Sequence, residues 1–282
     1  MGSAARSLFS TSGRAHRFSV HALALSLLLA LTSAWVQASP QAMACLVRAY
    51  PDFLQDAPAS NQLRARNGDA FVFDESLPSG SHQWLLDHAD LKAQFEQAYP
   101  KEPLSAAPAR DFDPGRLRSA VFFERMYGRT LAQVQEHMTS VYWAPCQCRI
   151  QFSGRHGAAQ ALEKVGQMLA RRPELATYVA KPLGSLNWRT IQGTQRRSMH
   201  AYGVAVDFHL PKALHHYWQW SGCKPGAACV YPAAVLADAR LKDVVKIFED
   251  HGFIWGGKWH HFDTVHFEFR PELVGAACSS GS

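Results

Sequence analysis

The sequence predicts an α+β fold, and three observations carry that prediction. Two short segments, Ala205–Phe208 and Val265–Phe269, alternate apolar and polar residues with a period of two, the pattern of half-buried strands. Two longer segments, 158–172 and 233–251, repeat apolar residues at helical spacing. Asn67-Gly68, in LRARNGDAFVFD, is a dipeptide favoured in tight hairpin turns.

The chain has 282 residues. Residues 1–38 read as a cleaved signal peptide. Arg6, Arg14 and Arg17 precede an apolar run from Ala22 to Val36, and the small-x-small site Val36-Gln37-Ala38 precedes Ser39. The run is short of the roughly 20 residues that span a bilayer; the alternative is a retained signal anchor. The expected mature protein is secreted or periplasmic, with no stable membrane span after signal cleavage. Without the three arginines, 26 basic residues face 23 acidic ones, a net charge of +3. No Lys/Arg tract marks a nucleic-acid surface. Six cysteines in an exported chain read first as disulfides. Cys223 and Cys229 flank a Lys-Pro-Gly turn and form the expected local pair, whereas Cys146 and Cys148 stand too close to pair comfortably. A four-cysteine structural zinc site is the alternative.

Residues 45–75 read as a small β region and 81–99 as helical, with Trp84, Leu85, Leu91 and Phe95 on the apolar side. A Pro- and Ala-rich loop spans about 100–114. A helix is expected to open at Asp113-Pro114 and close at Gly128. In 158–172, Leu162, Val165 and Leu169 form one face and Pro173 stops the helix. In 233–251, Leu241, Val244, Val245 and Phe248 line one side, with Gly252 at the C-cap.

The two strands carry the chemistry. Each buries hydrophobes on one side and shows a polar side chain on the other, so pairing would set Asp207 beside His266. His200, Asp207, Asp263 and His266 then supply two imidazoles and carboxylates, enough for a three-ligand zinc set with an open fourth position. An open position marks a catalytic ion. Asp263, three residues before His266, can serve as a base beside that position without ligating. Gly203 suits the sharp turn between His200 and the strand. Ser198 can hold a ligand or the backbone. Gly256-Gly257, between Trp255 and Trp259, reads as a tight turn in a cleft wall. Plainer readings stay open. There are 14 histidines, and His209, His215, His216, His260 and His261 are read as non-ligands. Among them His209, on the face of Asp207, is the closest competitor. Asp263 fits a turn cap, and Glu268 an ordinary exposed strand residue.

The pattern Ser198-x-His200-x-x-Gly203-x-Ala205-x-Asp207, then Trp255-Gly256-Gly257-x-Trp259, then Asp263-x-x-His266-Phe267 resembles the VanY-type zinc D-alanyl-D-alanine carboxypeptidases and the L-alanyl-D-glutamate endopeptidases. The resemblance covers about residues 145–275. It implies a hedgehog/D,D-peptidase-like α+β core at 145–275, with the metal on a small antiparallel sheet flanked by helices. It leaves 39–144 as an N-terminal accessory region and 276–282 as a tail. It implies one catalytic Zn2+ on His200, Asp207 and His266, with Asp263 as base. It also implies an upstream arginine at the oxyanion, for which Arg189 is the candidate and Arg155, Arg196 and Arg197 are rivals. Ser198, Trp255 and Trp259 would touch substrate. The implied substrates are peptidoglycan stem peptides, cut by a carboxypeptidase or an endopeptidase. The alternative is a non-catalytic wall-binding module that keeps the fold. The insert between Asp207 and His266 reads as a lid or substrate wall.

Overall fold

The computed structural model describes residues 40–55, 61–192, 194–224, 229–274 and 278. The expected signal peptide lies outside the described residues. The sheet that matters for function has four strands: β5 (Pro182–Gly184), β6 (Ala205–Phe208), β8 (His266–Phe269) and β7 (Phe253–Trp255), in that spatial order. Every pairing in it is antiparallel. The β6–β8 register sets Asp207 opposite His266 and Ala205 opposite Glu268. Alternation then sends Val206, Phe208, Phe267 and Phe269 to the other face. There Phe267 stacks on Phe248 at 4.0 Å, and Phe208 stacks on Trp143 at 5.2 Å. Phe248 belongs to the amphipathic helix Ala239–Glu249, whose Leu241, Val244 and Val245 are also buried.

Two hairpins complete the strand set. β1 (Gln62–Arg64) pairs with β2 (Ala70–Val72), and Gly68 turns between them at φ +94°. β3 (Met138–Trp143) pairs with β4 (Cys148–Ser153). Among the described residues, helices and small antiparallel sheets are mixed, as an α+β class requires. No helix among them is long and apolar enough to cross a membrane. Residues 41–282 form one compact unit. Leu46, Tyr50, Phe71, Phe122 and Met126 from the N-terminal stretch share a buried cluster with Val206 and Phe267 of the sheet.

Several local expectations shift. Residues 40–49 are helical, so the expected β region does not begin at 45. The second helix ends at His88, and the Asp90 carboxylate accepts from Ala93 N at 2.8 Å to start a separate turn. The helix expected from Asp113 begins at Ala120 behind a Ser119 cap and does end at Gly128. Gly115, at φ +88°, breaks the earlier stretch, and Asp113 is engaged elsewhere. The helix at 233–251 is split at Asp238, which leaves helical geometry and accepts from Leu241 N at 2.7 Å.

Cys223 pairs with Cys229 as expected. Cys146 and Cys148 are also joined, against expectation. Gln147 between them takes the left-handed region at φ 54°, which folds the turn back and leaves the two Cα atoms 5.2 Å apart. Cys45 pairs with Cys278 across 233 residues. No free cysteine remains among the described residues, so a four-cysteine zinc site has no ligands.

Gly203 caps the 3-10 turn Met199–Tyr202 at φ +66°, and an added Cβ would collide with Met138 Sδ. Both features make Gly203→Ala costly, about 1–3 kcal/mol for the backbone strain alone. The expected result is a melting temperature several degrees below wild type. An unchanged melting curve would refute this reading of the turn.

Candidate active site

His200 sits in the 3-10 turn that Ser198 caps, its hydroxyl accepting from His200 N at 3.3 Å. Asp207 and His266 project from paired strands. Together they bring His200 Nε2, Asp207 Oδ1 and His266 Nδ1 to one point. His200 Nε2 lies 3.1 Å from both partners, and His266 Nδ1 lies 3.0 Å from Asp207 Oδ1. Both imidazoles are buried, at 4% and 7% exposure.

The outer nitrogens settle the tautomers. His200 Nδ1 donates to Ser185 O at 2.8 Å, which leaves its Nε2 bare. His266 Nε2 donates to Glu268 Oε2 at 3.0 Å, which leaves its Nδ1 bare. Neutral rings so oriented turn two bare nitrogens and a carboxylate oxygen to one point. A cation there replaces the proton that Asp207 and Glu268 otherwise hold on His266, whose pKa, against the effect of burial, they push up to about 10. Zinc bonds to nitrogen and carboxylate oxygen run about 2.0–2.2 Å, and three atoms about 3 Å apart can all reach one such ion. The donor set therefore fits a divalent metal, with the outer hydrogen bonds typical of histidine ligands.

Behind His266 runs a buried relay of charge. Glu268 Oε1 accepts from Arg270 Nη1 at 3.0 Å, and Arg270 Nε donates to Glu272 Oε1 at 2.6 Å. Tyr50 OH donates to Glu272 Oε2 at 2.6 Å. Glu268 is thus no exposed strand residue; it is 3% exposed. Burial works against its charge, but His266 and Arg270 hold its carboxyl down at about 2. At Asp207, too, burial opposes ionisation, and the two histidines facing its Oδ1 outweigh it, keeping the carboxyl well below the usual range.

Asp263 borders the same cavity, a cleft of about 420 Å3. Its Oδ1 is buried without a hydrogen-bond partner among the described residues. Burial, then the charge of Asp207, push its carboxyl up to about 6. Gly256 of the Trp-Gly-Gly turn permits the close approach: a Cβ there would come within 2.6 Å of Asp263 O.

Other expected site residues divide. Ser198 lines the cleft as well as capping the turn, and Trp259 lines it with its ring 5.6 Å from that of His266. Trp255 does not reach the cleft. It pairs with Phe267 on β8, so it shares the core face, and its indole Nε1 donates to Thr264 O at 2.7 Å. Of the four arginine candidates only Arg189 lines the cleft. Arg155 bonds Met126 O in another pocket. Arg196 pairs with Asp87 at 3.1 Å, and Arg197 stacks on Trp188 at 4.1 Å. His209 is exposed and rests 4.8 Å from the His215 ring. The sequence reading missed Arg116, Arg118 and His261, which also line the cleft. Arg116 and Arg118 come from the N-terminal region and carry no local signal of their role. Tyr217 and Trp220 of the insert line the cleft too.

Residues 192–269 match the D-alanyl-D-alanine carboxypeptidase family model of the M15 peptidases. The match supports the VanY-type D,D-peptidase family and contains His200, Asp207, Asp263 and His266. The matched segment is thus similar to a peptidase family whose members are typically metal-dependent. No curated protein and no solved structure matches the chain. Among the described residues, two further groups offer three metal-ligand side chains: His82, Asp113 and His261, and Asp111, His260 and His261.

Proposed function

We propose that this chain is an exported zinc peptidase that hydrolyses peptide bonds in peptidoglycan stem peptides. The observation that carries the reading is the convergence of three bare ligand atoms, 3.0–3.1 Å apart, beside the unpartnered carboxylate oxygen of Asp263. A bound zinc would rest on His200, Asp207 and His266, polarising the scissile carbonyl and lowering the pKa of water. Asp263 takes the proton of the attacking water and returns it to the leaving amine. Its raised pKa suits both directions of transfer near neutral pH. Arg189, exposed at the cleft, supplies a cation for the developing oxyanion. A wall-binding module would need neither the base nor an open cleft at the metal.

The test is digestion of purified peptidoglycan by residues 39–282, read by mass spectrometry, with and without a chelator. Loss of terminal D-Ala identifies a carboxypeptidase. New N-terminal D-Glu identifies an L-Ala-D-Glu endopeptidase. Activity that survives chelation removes zinc from the reading, and zinc-loaded protein that releases nothing leaves a binding module. The metal content is itself an expected result: one zinc per chain by elemental analysis, falling below a tenth of that in His266→Ala. Full zinc content in that variant would move the site elsewhere.

A further inference from the structure

The N-terminal region builds a second feature of the cleft around Asp113, a residue that is fully buried. His82 Nε2 and His261 Nδ1 lie 2.9 and 2.6 Å from the same oxygen, Asp113 Oδ2. His261 N donates to Oδ1 at 2.9 Å, and Arg116 Nη1 stands 3.7 Å from Oδ2. Burial opposes the charge on Asp113, but Arg116 and the two histidines outweigh it and hold the carboxyl well below its usual range. The trio resembles a metal set, its ligand atoms within 4.8 Å of one another. What sets it apart is the guanidinium of Arg116 beside the shared oxygen, so a cation already meets that carboxylate. Asp113 reads instead as an anionic hub that fixes two groups of the cleft wall, Arg116 and His261.

Arg116 is the group left with donors to offer. Its guanidinium lies over the Trp259 ring at 5.4 Å. Beyond the 3.7 Å ion pair, its side chain makes no hydrogen bond among the described residues. Trp259 is in turn fixed, its Nε1 donating to Pro114 O at 2.8 Å. The guanidinium is thus held from two sides, and its side chain is 14% exposed. Arg118 and Arg189 add two further guanidiniums to the same cleft, Arg118 already donating to Arg197 O at 2.7 Å. The acids bordering the cavity, Asp207, Asp263 and Glu268, all sit at the candidate metal site; the charge of Arg116 acts on Asp263, while its ion pair is with Asp113.

We infer that Arg116, positioned by Asp113 and Trp259, binds a free carboxylate of the substrate. This inference rests on the peptidase reading above. A planar guanidinium offers paired donors that match a carboxylate. In a stem peptide that carboxylate comes either from the chain end or from the D-Glu residue, and the chemistry at Arg116 is shared.

The test uses zinc-loaded protein and an acetylated stem pentapeptide ending in D-Ala-D-Ala, prepared in three forms: both carboxylates free, the terminal one amidated, or the D-Glu one amidated. One amidation is expected to lower wild-type kcat/KM ten- to hundredfold, and which one does so identifies the source. In Arg116→Gln the same amidation should change kcat/KM less than twofold, while Arg116→Lys keeps part of the discrimination. Zinc content and circular dichroism must match wild type. If neither amidation matters, or Arg116→Gln is impaired equally on all three peptides, the inference is wrong. Calorimetric binding of the same peptides to zinc-loaded Asp263→Ala separates it from the peptidase reading. A tenfold preference for a free carboxylate that disappears in Arg116→Gln/Asp263→Ala supports the subsite even without turnover. Equal binding of all three forms overturns it.

Discussion

Asp263→Ala is expected to lower kcat by about 10²- to 10⁴-fold, the usual contribution of a positioned acid–base group, while zinc content stays at one per chain. The side chain is not among the three converging ligand atoms, so its loss removes a proton acceptor and no donor to the metal. KM should move little. Removing Asp263 also removes a charge beside Asp207, so the variant should fold at least as stably as wild type. The pH profile gives an independent check. A carboxyl pushed up to about 6 by burial and by Asp207 must be ionised to accept a proton. Activity is therefore full above that range and falls about tenfold per pH unit below it. The zinc dication draws the ionisation to lower pH, so the acid limb in loaded enzyme belongs at or below pH 6. A limb that stays in place in Asp263→Glu, or a kcat within threefold of wild type in Asp263→Ala, would assign the base elsewhere.

Glu268→Gln is the second large effect. This side chain accepts from His266 Nε2 at 3.0 Å and from Arg270 at 3.0 Å, so it fixes a ligand's orientation and neutralises a fully buried guanidinium. Removing such an outer partner typically lowers metal affinity about 10- to 100-fold. A competition titration against a zinc chelator reads this directly. Glu268→Ala should be worse, because Gln keeps a carbonyl oxygen that can accept from one of these donors whereas Ala keeps none, and breaking a buried pair costs about 3–5 kcal/mol. The sign with pH follows from the depressed pKa. Folding holds the carboxyl at about 2, against about 4.3 in an unfolded chain. The stabilisation is complete above the unfolded value and is lost as pH falls towards 2. Thermal melts of wild type and Glu268→Gln should therefore converge in acid. Wild-type zinc affinity in Glu268→Gln would remove the relay from any role at the metal.

What the sequence discloses about this site is what local pattern encodes. The two strands alternate with a period of two, so Asp207 and His266 were legible as neighbours once pairing was assumed, and the register sets them opposite each other. The same alternation placed Glu268 on the face of His266. Its burial was not legible, because Gly115 and Arg118 of the N-terminal region, more than 140 residues away in sequence, lie beside the Glu268–Arg270 pair. Asp113 was misread for a related reason. Asp-Pro-Gly looks like a helix start, but the carboxylate is committed to His82 and His261, the latter 148 residues away. Trp255 and Trp259 looked equivalent around their glycines. Only strand pairing separates them, since Trp255 shares the face of Phe267. The Cys146–Cys148 bond depends on one left-handed residue, which composition does not reveal.

The relay from His266 through Glu268, Arg270 and Glu272 ends on Tyr50, in a buried cluster that begins near residue 43. This joins the two ends of the polypeptide in a single act of assembly. A ribosome makes Tyr50 early and Glu272 late, so every nascent chain that has not reached residue 272 lacks the outer support of its last ligand. Such a chain also lacks His266 itself until shortly before. The proposed centre is therefore assembled last, and partial products of synthesis are expected to show no hydrolysis.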